Sequence, residues 1–366
     1  MRSAAFRRIA LAILSLGAAT ALAAAGPATA GRFYNTDYVS MVDVCSSLGL
    51  RFGLSADGTV MTVVAGGHRA KLSGRHSEER EMVLDDVRVY LGDPAVARGG
   101  HFYVSRLDYL HRLLPLLRPD LIRAPVRRPH IIVIDPGHGG SDPGTQNRRY
   151  GLKEKDLTLD VALRLRKLLL AEGWGVAMTR TSDTQLSTNK VTDLELRAIF
   201  TGEQRADVFL SIHFDAAPSA SVHGSEIFSY IPVGQRSTES WGTGRNDRHT
   251  EVQAGNRNDD WNVVLAHSLF RVMPRGMATF DHGERIRDLS VLRNAPCPAV
   301  LVEPAYLSND SEAQRLRDPA FRDRIAATLA AGLRDYAAVI GTFQPAVPSF
   351  HAAPPPVLSR PTPPKP

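Results

Sequence analysis

The sequence predicts an α/β protein with a smaller α+β domain in front of it. Two patterns carry that expectation. From residue 130 onward, short runs that are apolar throughout, 131–134, 208–212 and 299–302, alternate with stretches of helical periodicity. Such runs read as strands buried on both faces, and the alternation as a sheet layered with helices. Before residue 120 the runs mix apolar and polar residues and are parted by turn residues, the pattern of hairpins. The 366 residues suffice for two domains, and 43% hydrophobic against 22% charged residues suits a core of ordinary size.

Residues 1–30 place Arg2, Arg7 and Arg8 before an apolar stretch, 9–25, and end in Ala28-Thr29-Ala30. That is the layout of a secretory signal with a small-x-small cleavage site. The mature protein is therefore expected to be exported, to a periplasm, the cell wall or the medium, without stable membrane insertion. An uncleaved anchor is the competing reading, but the stretch falls short of the roughly 20 apolar residues of a span. The formal net charge of +6 includes those three arginines. What remains is no nucleic-acid footprint. Cys45 and Cys297 make neither a disulfide framework nor a metal-binding set.

In residues 31–119 the segment Tyr38-Val39-Ser40-Met41-Val42-Asp43 recurs as Tyr103-Val104-Ser105-Arg106-Leu107-Asp108. Each Ser, followed three residues later by Asp, reads as the cap of a short helix. The first helix is expected to stop at Gly49. Residues 51–54 and 59–64 flank Ala56-Asp57-Gly58 as a hairpin, and 83–91 alternates as one further strand. The repeated YVS and the strand spacing resemble the N-terminal domain of copper amine oxidases, a module also attached to bacterial cell-wall enzymes. The resemblance implies a wall-binding or packing role without copper chemistry, because His68, His76, His101 and His111 are scattered. Residues 120–129, rich in Arg and Pro, read as a linker.

Residues 130–341 form the second domain. After the strand at 131–134 comes a polar loop, 141–155, and then a helix at 157–172, closed by Gly173. Strands follow at 174–179, 208–212, 225–230 and 299–302, with helices at 194–200, 263–273 and 321–338. His138 stands in Asp135-Pro136-Gly137-His138-Gly139-Gly140, just past the first strand, while His213 and Glu303 directly follow two others. Open α/β sheets place their ligands at the carboxyl ends of strands. An incidental histidine in a strand-ending turn would explain His138 alone, but not three capable residues at three strand ends. Two His nitrogens and a carboxylate oxygen suit zinc, with one position left for water. Glu154, Asp142, Asp156 and Asp215 are candidates for the third ligand, and spacing alone does not choose among them.

DPGHGG (135–140), EKD (154–156), Thr179-Arg180 with Asp183, SIH (211–213) and VEPAYLSN (302–309) together resemble the zinc-dependent N-acetylmuramoyl-L-alanine amidases, which are cell-wall hydrolases. The resemblance implies a twisted mixed sheet wrapped by helices. It also implies one zinc ion held by His138, Glu154 and His213, with Glu303 as the catalytic carboxylate. The expected reaction cleaves the amide joining N-acetylmuramic acid to L-alanine in peptidoglycan. Two positions depart from the family pattern: Phe214-Asp215 replaces small or amide residues, and Pro304 stiffens the turn after Glu303. A zinc peptidase cutting within the stem peptide could use the same ligands. A non-catalytic wall-binding or activator protein is the third reading, and any activating partner is unknown.

Residues 232–260 lack apolar periodicity and read as a surface loop that is either a lid, with Glu239 or Glu251 capping the metal, or a plain solvated insertion. Arg180 and Arg197 are expected to pair with structural carboxylates. His223, His267 and His282 read as surface or supporting residues, and Cys297 as a buried filler. The Pro-rich stretch 342–366 cannot pack a core.

Overall fold

The computed structural model describes residues 28–76, 79–123, 128–238 and 248–342. The greater part of the leader, the centre of the linker and nearly all of the proline-rich tail lie outside them. Among the described residues no helix is long and apolar enough to cross a membrane. The chain divides into two compact units, one drawn from residues up to Arg123 together with Gly234–His249, the other from Ala124–Val233 and the residues from Thr250 on.

The N-terminal unit begins with β1 (Gly31–Phe33), β2 (Thr36–Ser40) and α1 (Met41–Ser47). Ser40 caps α1 by accepting from Asp43 N, and Ser105 does the same for Asp108 N, as the repeated motif predicts. Gly49 takes the left-handed conformation that ends α1. Next come β3 (Arg51–Leu54), β4 (Val60–Ala65), β5 (His68–Ser73), β6 (Glu81–Leu84) and β7 (Val87–Tyr90), an antiparallel meander. The single strand expected at 83–91 is a hairpin. Asp85 and Asp86 both have positive φ, which turns the chain back within two residues. β8 (Val96–Arg98) and β9 (His101–Ser105) complete a second antiparallel sheet, ordered β1-β2-β9-β8. Met61, Val63 and Ala65 of β4 are buried while their neighbours are half-buried, so the meander has one core face.

Part of the predicted loop 232–260 belongs to this unit. Gly234 N donates to His249 O and His249 N to Gln235 O, closing the base of an arm. Gln235 Nε2 donates to Asp108 Oδ1 at 2.9 Å, and Arg80 Nη2 to Thr238 O at 2.8 Å. Arg248 grips the fully buried Asp93 through both terminal nitrogens, at 2.9 and 3.2 Å.

The second unit contains β10 (Ile131–Pro136), the small hairpin β11 (Gln146–Asn147) and β12 (Leu152–Lys153), and α2 (Glu154–Ala171). It continues with β13 (Gly175–Met178), α3 (Lys190–Glu203), β14 (Val208–Ile212) and β15 (Ser225–Tyr230). After α4 (Asp259–Phe270) come β16 (Asp281–Arg287), β17 (Ala299–Glu303) and the closing helix α5 (Pro319–Gly341). Within this unit the strands run β13-β10-β14-β17-β15-β16. The first four are parallel, β15 runs antiparallel to β17, and β16 runs parallel to β15. This is the twisted mixed sheet that the sequence predicts. Val133, Phe209, Phe228 and Leu301 form one face of the core, against Leu194 and Phe200 of α3. α2, α4 and α5 pack together, with α2 against β10 and α4 against β15 and β17.

Candidate active site

β10, β14 and β17 are parallel neighbours, so their carboxyl ends, and the residues that follow, come out side by side. His138 lies two residues past β10 with φ of +61°, a conformation uncommon for a residue with a Cβ. Two buried guanidinium groups hold that loop by its carbonyls. Arg180 donates from Nε to Pro136 O and from Nη2 to Gly137 O, and Arg197 from Nη2 to His138 O. Arg197 pairs with Asp135 and Asp193, as expected. Arg180 instead spends its hydrogen bonds on backbone oxygens and on Thr158 Oγ1.

Glu154 opens α2 and is nearly buried. Its Oε1 stands 3.0 Å from His138 Nε2 and 2.9 Å from His213 Nδ1, and the Phe214 N–H donates to the same oxygen. Thr145 N donates to Oε2. Burial alone would raise the Glu154 pKa, but hydrogen bonds from His138 and His213 outweigh it and hold the carboxyl well below the usual range. Each of the three side chains offers a ligand atom, and these atoms lie within 4.8 Å of one another. Of the four carboxylates that spacing left open, Glu154 is the one brought to both histidines. Asp142 accepts instead at the opposite nitrogen of His138, Nδ1, at 2.9 Å. Asp156 and Asp215 are not part of the group.

Glycine makes this convergence possible. A Cβ on Gly137 would come 2.4 Å from His213 Nε2, and one on Gly144 2.6 Å from Glu154 Oε2. A side chain at either position would displace a neighbouring member of the group.

His213 follows Ile212, which is in register with Val302, so it emerges beside Glu303. Glu303 in turn lies directly opposite Glu226 in the antiparallel β15–β17 pair, which puts both carboxylates on one face of the sheet. Glu303 is 8% exposed, and its Oε2 has no hydrogen-bond partner among the described residues. Burial pushes its pKa well above the usual carboxylate range, with Asp215, Glu154 and Glu226 adding to the effect and Arg287 opposing it.

Glu226 was not singled out from the sequence. The available signal was a carboxylate within the strand expected at 225–230. Its Oε1 accepts from the Tyr306 hydroxyl at 2.5 Å, and its Oε2 pairs with Arg285 Nε at 2.8 Å. Burial pushes it up to about 8, against the pull of Arg285. Glu251, one of the two residues considered as a metal cap, is exposed and accepts from Gln253 Nε2. Glu239, the other, lies outside the described residues. His267, read as surface or supporting, is buried against Glu284 at 2.6 Å. His223 is exposed, and the His282 ring stands 5.4 Å from that of Tyr306, tilted by 56°.

Residues 132–335 match the family described as N-acetylmuramoyl-L-alanine amidase. The chain is 31% identical over 228 residues to N-acetylmuramoyl-L-alanine amidase AmiC of Escherichia coli O6:H1, covering 57% of this chain and 53% of that protein. It is 32% identical over 215 residues to the germination-specific N-acetylmuramoyl-L-alanine amidase of Bacillus subtilis, covering 56% and 79%. The solved catalytic domain of CwlV, an N-acetylmuramoyl-L-alanine amidase from Bacillus (Paenibacillus) polymyxa var. colistinus, compares at a TM-score of 0.45 and 27% identity, covering 57% of this chain and 99% of that one. This chain thus spans about half the length of the Escherichia coli relative. The family match takes in more than half of the chain, running from β10 into α5 and including His138, Glu154, His213 and Glu303, and the chain belongs to the N-acetylmuramoyl-L-alanine amidase family.

Proposed function

We propose that this chain hydrolyses the amide bond between N-acetylmuramic acid and L-alanine of peptidoglycan, using one zinc ion held by His138, Glu154 and His213. The observation that supports it best is the meeting of Glu154 Oε1 with a nitrogen of each histidine at about 3 Å, beside the strand end that carries Glu303. The donor set fits zinc: two imidazoles and a carboxylate, from three separate elements, with space cleared by Gly137 and Gly144. When bound, zinc supplies Lewis acidity to water and to the scissile carbonyl.

The protein residues do the rest. Asp142 accepts from Nδ1 of His138, which would leave Nε2 free to give up its contact with Glu154 and ligate the metal when the ion is bound. Glu303, ionised when a cation occupies the neighbouring site, would take a proton from the attacking water and pass it to the departing amine nitrogen. Export to the periplasm or the wall belongs to the same reading and rests on the composition of residues 1–30. A wall-binding role for the N-terminal unit rests on the resemblance of its repeated motif.

The test pairs metal content with turnover on purified peptidoglycan. Wild type should carry one zinc and release stem peptides that begin at L-alanine. Glu303→Ala should keep the metal and lose turnover, and His213→Ala should lose both. Shortened stem peptides would mean a zinc peptidase. Wall binding without release of any fragment would overturn the enzyme reading.

A further inference from the structure

We infer that Glu226 is a positioning residue for Glu303, fixing the turn 303–306 that carries it; this rests on the reading of Glu303 as the catalytic carboxylate. Three observations meet here. First, Glu226 and Glu303 are register partners on β15 and β17, so the backbone of one fixes the backbone of the other at the first residue of the turn. Second, the Glu226 side chain reaches the far end of the same turn, where its Oε1 accepts from the Tyr306 hydroxyl at 2.5 Å. Third, Glu303 Oε2 has no hydrogen-bond partner among the described residues. The direction of the Glu303 carboxylate therefore depends on the backbone of the turn, which β15 holds through strand pairing at Glu303 and the Glu226 carboxyl holds through Tyr306 at the other end.

The grip on Tyr306 is supported from the other side of the carboxyl, where Arg285 Nε pairs with the second Glu226 oxygen at 2.8 Å. The Tyr306 N–H donates to Glu312 Oε2 at 2.7 Å, and its ring stands 5.4 Å from that of His282. Glu226 is only 3% exposed, with Tyr306 on one oxygen and Arg285 on the other, so it does not reach substrate itself. A general base displaced by about 1 Å loses on the order of 100-fold in rate, which gives such a clamp its kinetic weight.

The test uses the full-length, zinc-replete chain on purified peptidoglycan, reading zinc content, kcat and KM for Glu226→Ala, Glu226→Gln and Tyr306→Phe, with Glu303→Ala as control. Glu226→Ala should lower kcat by about 10- to 100-fold with KM and zinc content unchanged. Glu226→Gln, which keeps an acceptor for Arg285 and a polar partner for Tyr306, should recover most of that loss. Tyr306→Phe removes one oxygen and should lower kcat in the same direction by a smaller factor, which keeps the proposal testable if Glu226→Ala fails to fold. An unchanged kcat in both Glu226→Ala and Tyr306→Phe would overturn the positioning role. So would a loss that tracks zinc content, or a glutamine variant as impaired as alanine. If Glu303→Ala itself keeps full turnover, the catalytic reading of Glu303 falls and the positioning role falls with it. A dead Glu303→Ala beside fully active Glu226 and Tyr306 variants removes the positioning role alone.

Discussion

Asp142 Oδ2 lies 2.9 Å from Nδ1 of His138, while the opposite ring nitrogen, Nε2, lies 3.0 Å from Glu154. The imidazole is thus held from both sides. Burial works against the charge on Asp142, but hydrogen bonds from Lys190, His138 and the Gly144 N–H outweigh it and keep the carboxyl below its usual range. Removing this support from a metal-ligating histidine typically costs 10- to 100-fold in metal affinity. Asp142→Ala is therefore expected to weaken zinc binding by about that factor and to change folding stability little. Competition between the zinc-loaded protein and a chelator of known affinity measures it. An unchanged zinc affinity would show that the Asp142 contact does not support the metal.

Gly137 is the tightest point of the site. A Cβ there would stand 2.3 Å from His213 Cε1, closer than any contact a real side chain makes. Gly137→Ala should displace the His213 ring, abolish stoichiometric zinc binding and lower turnover by at least about 100-fold. Gly53→Ala, on β3 with nothing within 4 Å of the added carbon, is the matched control and should leave both unchanged. Zinc retained at full stoichiometry in Gly137→Ala would argue against His213 as a ligand.

The strand ends were legible because buried parallel strands are apolar throughout and so announce where they stop. His138, His213 and Glu303 were found that way. Glu154 was not chosen by spacing, since what selects it is the placement of the α2 N-terminus beside the two histidines, a tertiary fact. β16 was invisible. No strand was expected at Asp281–Arg287, where charged residues interrupt any apolar run, yet Glu284 is fully buried, with His267 2.6 Å from it. The same pairing explains why His267 is not a surface residue. The two neighbouring acids Asp85 and Asp86 marked a tight turn that strand alternation concealed. The arm at 234–249 finds Asp93 and Asp108 more than a hundred residues away in sequence, which no local pattern reports.

Asp93 is fully buried and takes both terminal nitrogens of Arg248, so the arm is an integral part of the N-terminal unit. Removing one partner of a buried pair costs about 3 kcal/mol or more when the other charge is left alone. Asp93→Asn, which leaves both Arg248 and Arg236 without their carboxylate, should destabilise that unit by about this amount, and Arg248→Ala by less, because Arg236 Nε stays 3.6 Å from Asp93 Oδ1. Their combination should cost less than the sum, because the residues share one interaction. Denaturant unfolding of the full chain checks this. Additive losses would mean that Arg248 and Asp93 stabilise the unit independently.

Glu226 also predicts how stability depends on pH. Burial, opposed by Arg285 and reinforced by Asp215, raises its pKa from 4.5 to about 8 in the folded chain. Between those values the folded state holds a proton that the unfolded state has released. Stability therefore falls as pH rises through this window, by up to about 1.4 kcal/mol per pH unit. The contribution is complete below the unfolded value and lost above the folded one. Glu226→Gln cannot titrate, so the stability of wild type relative to this variant should be greatest near the acid end of the window and decline toward its alkaline end. Denaturant midpoints for both proteins across that range decide it. A difference that stays flat would mean that Glu226 remains ionised throughout, with Arg285 prevailing over burial.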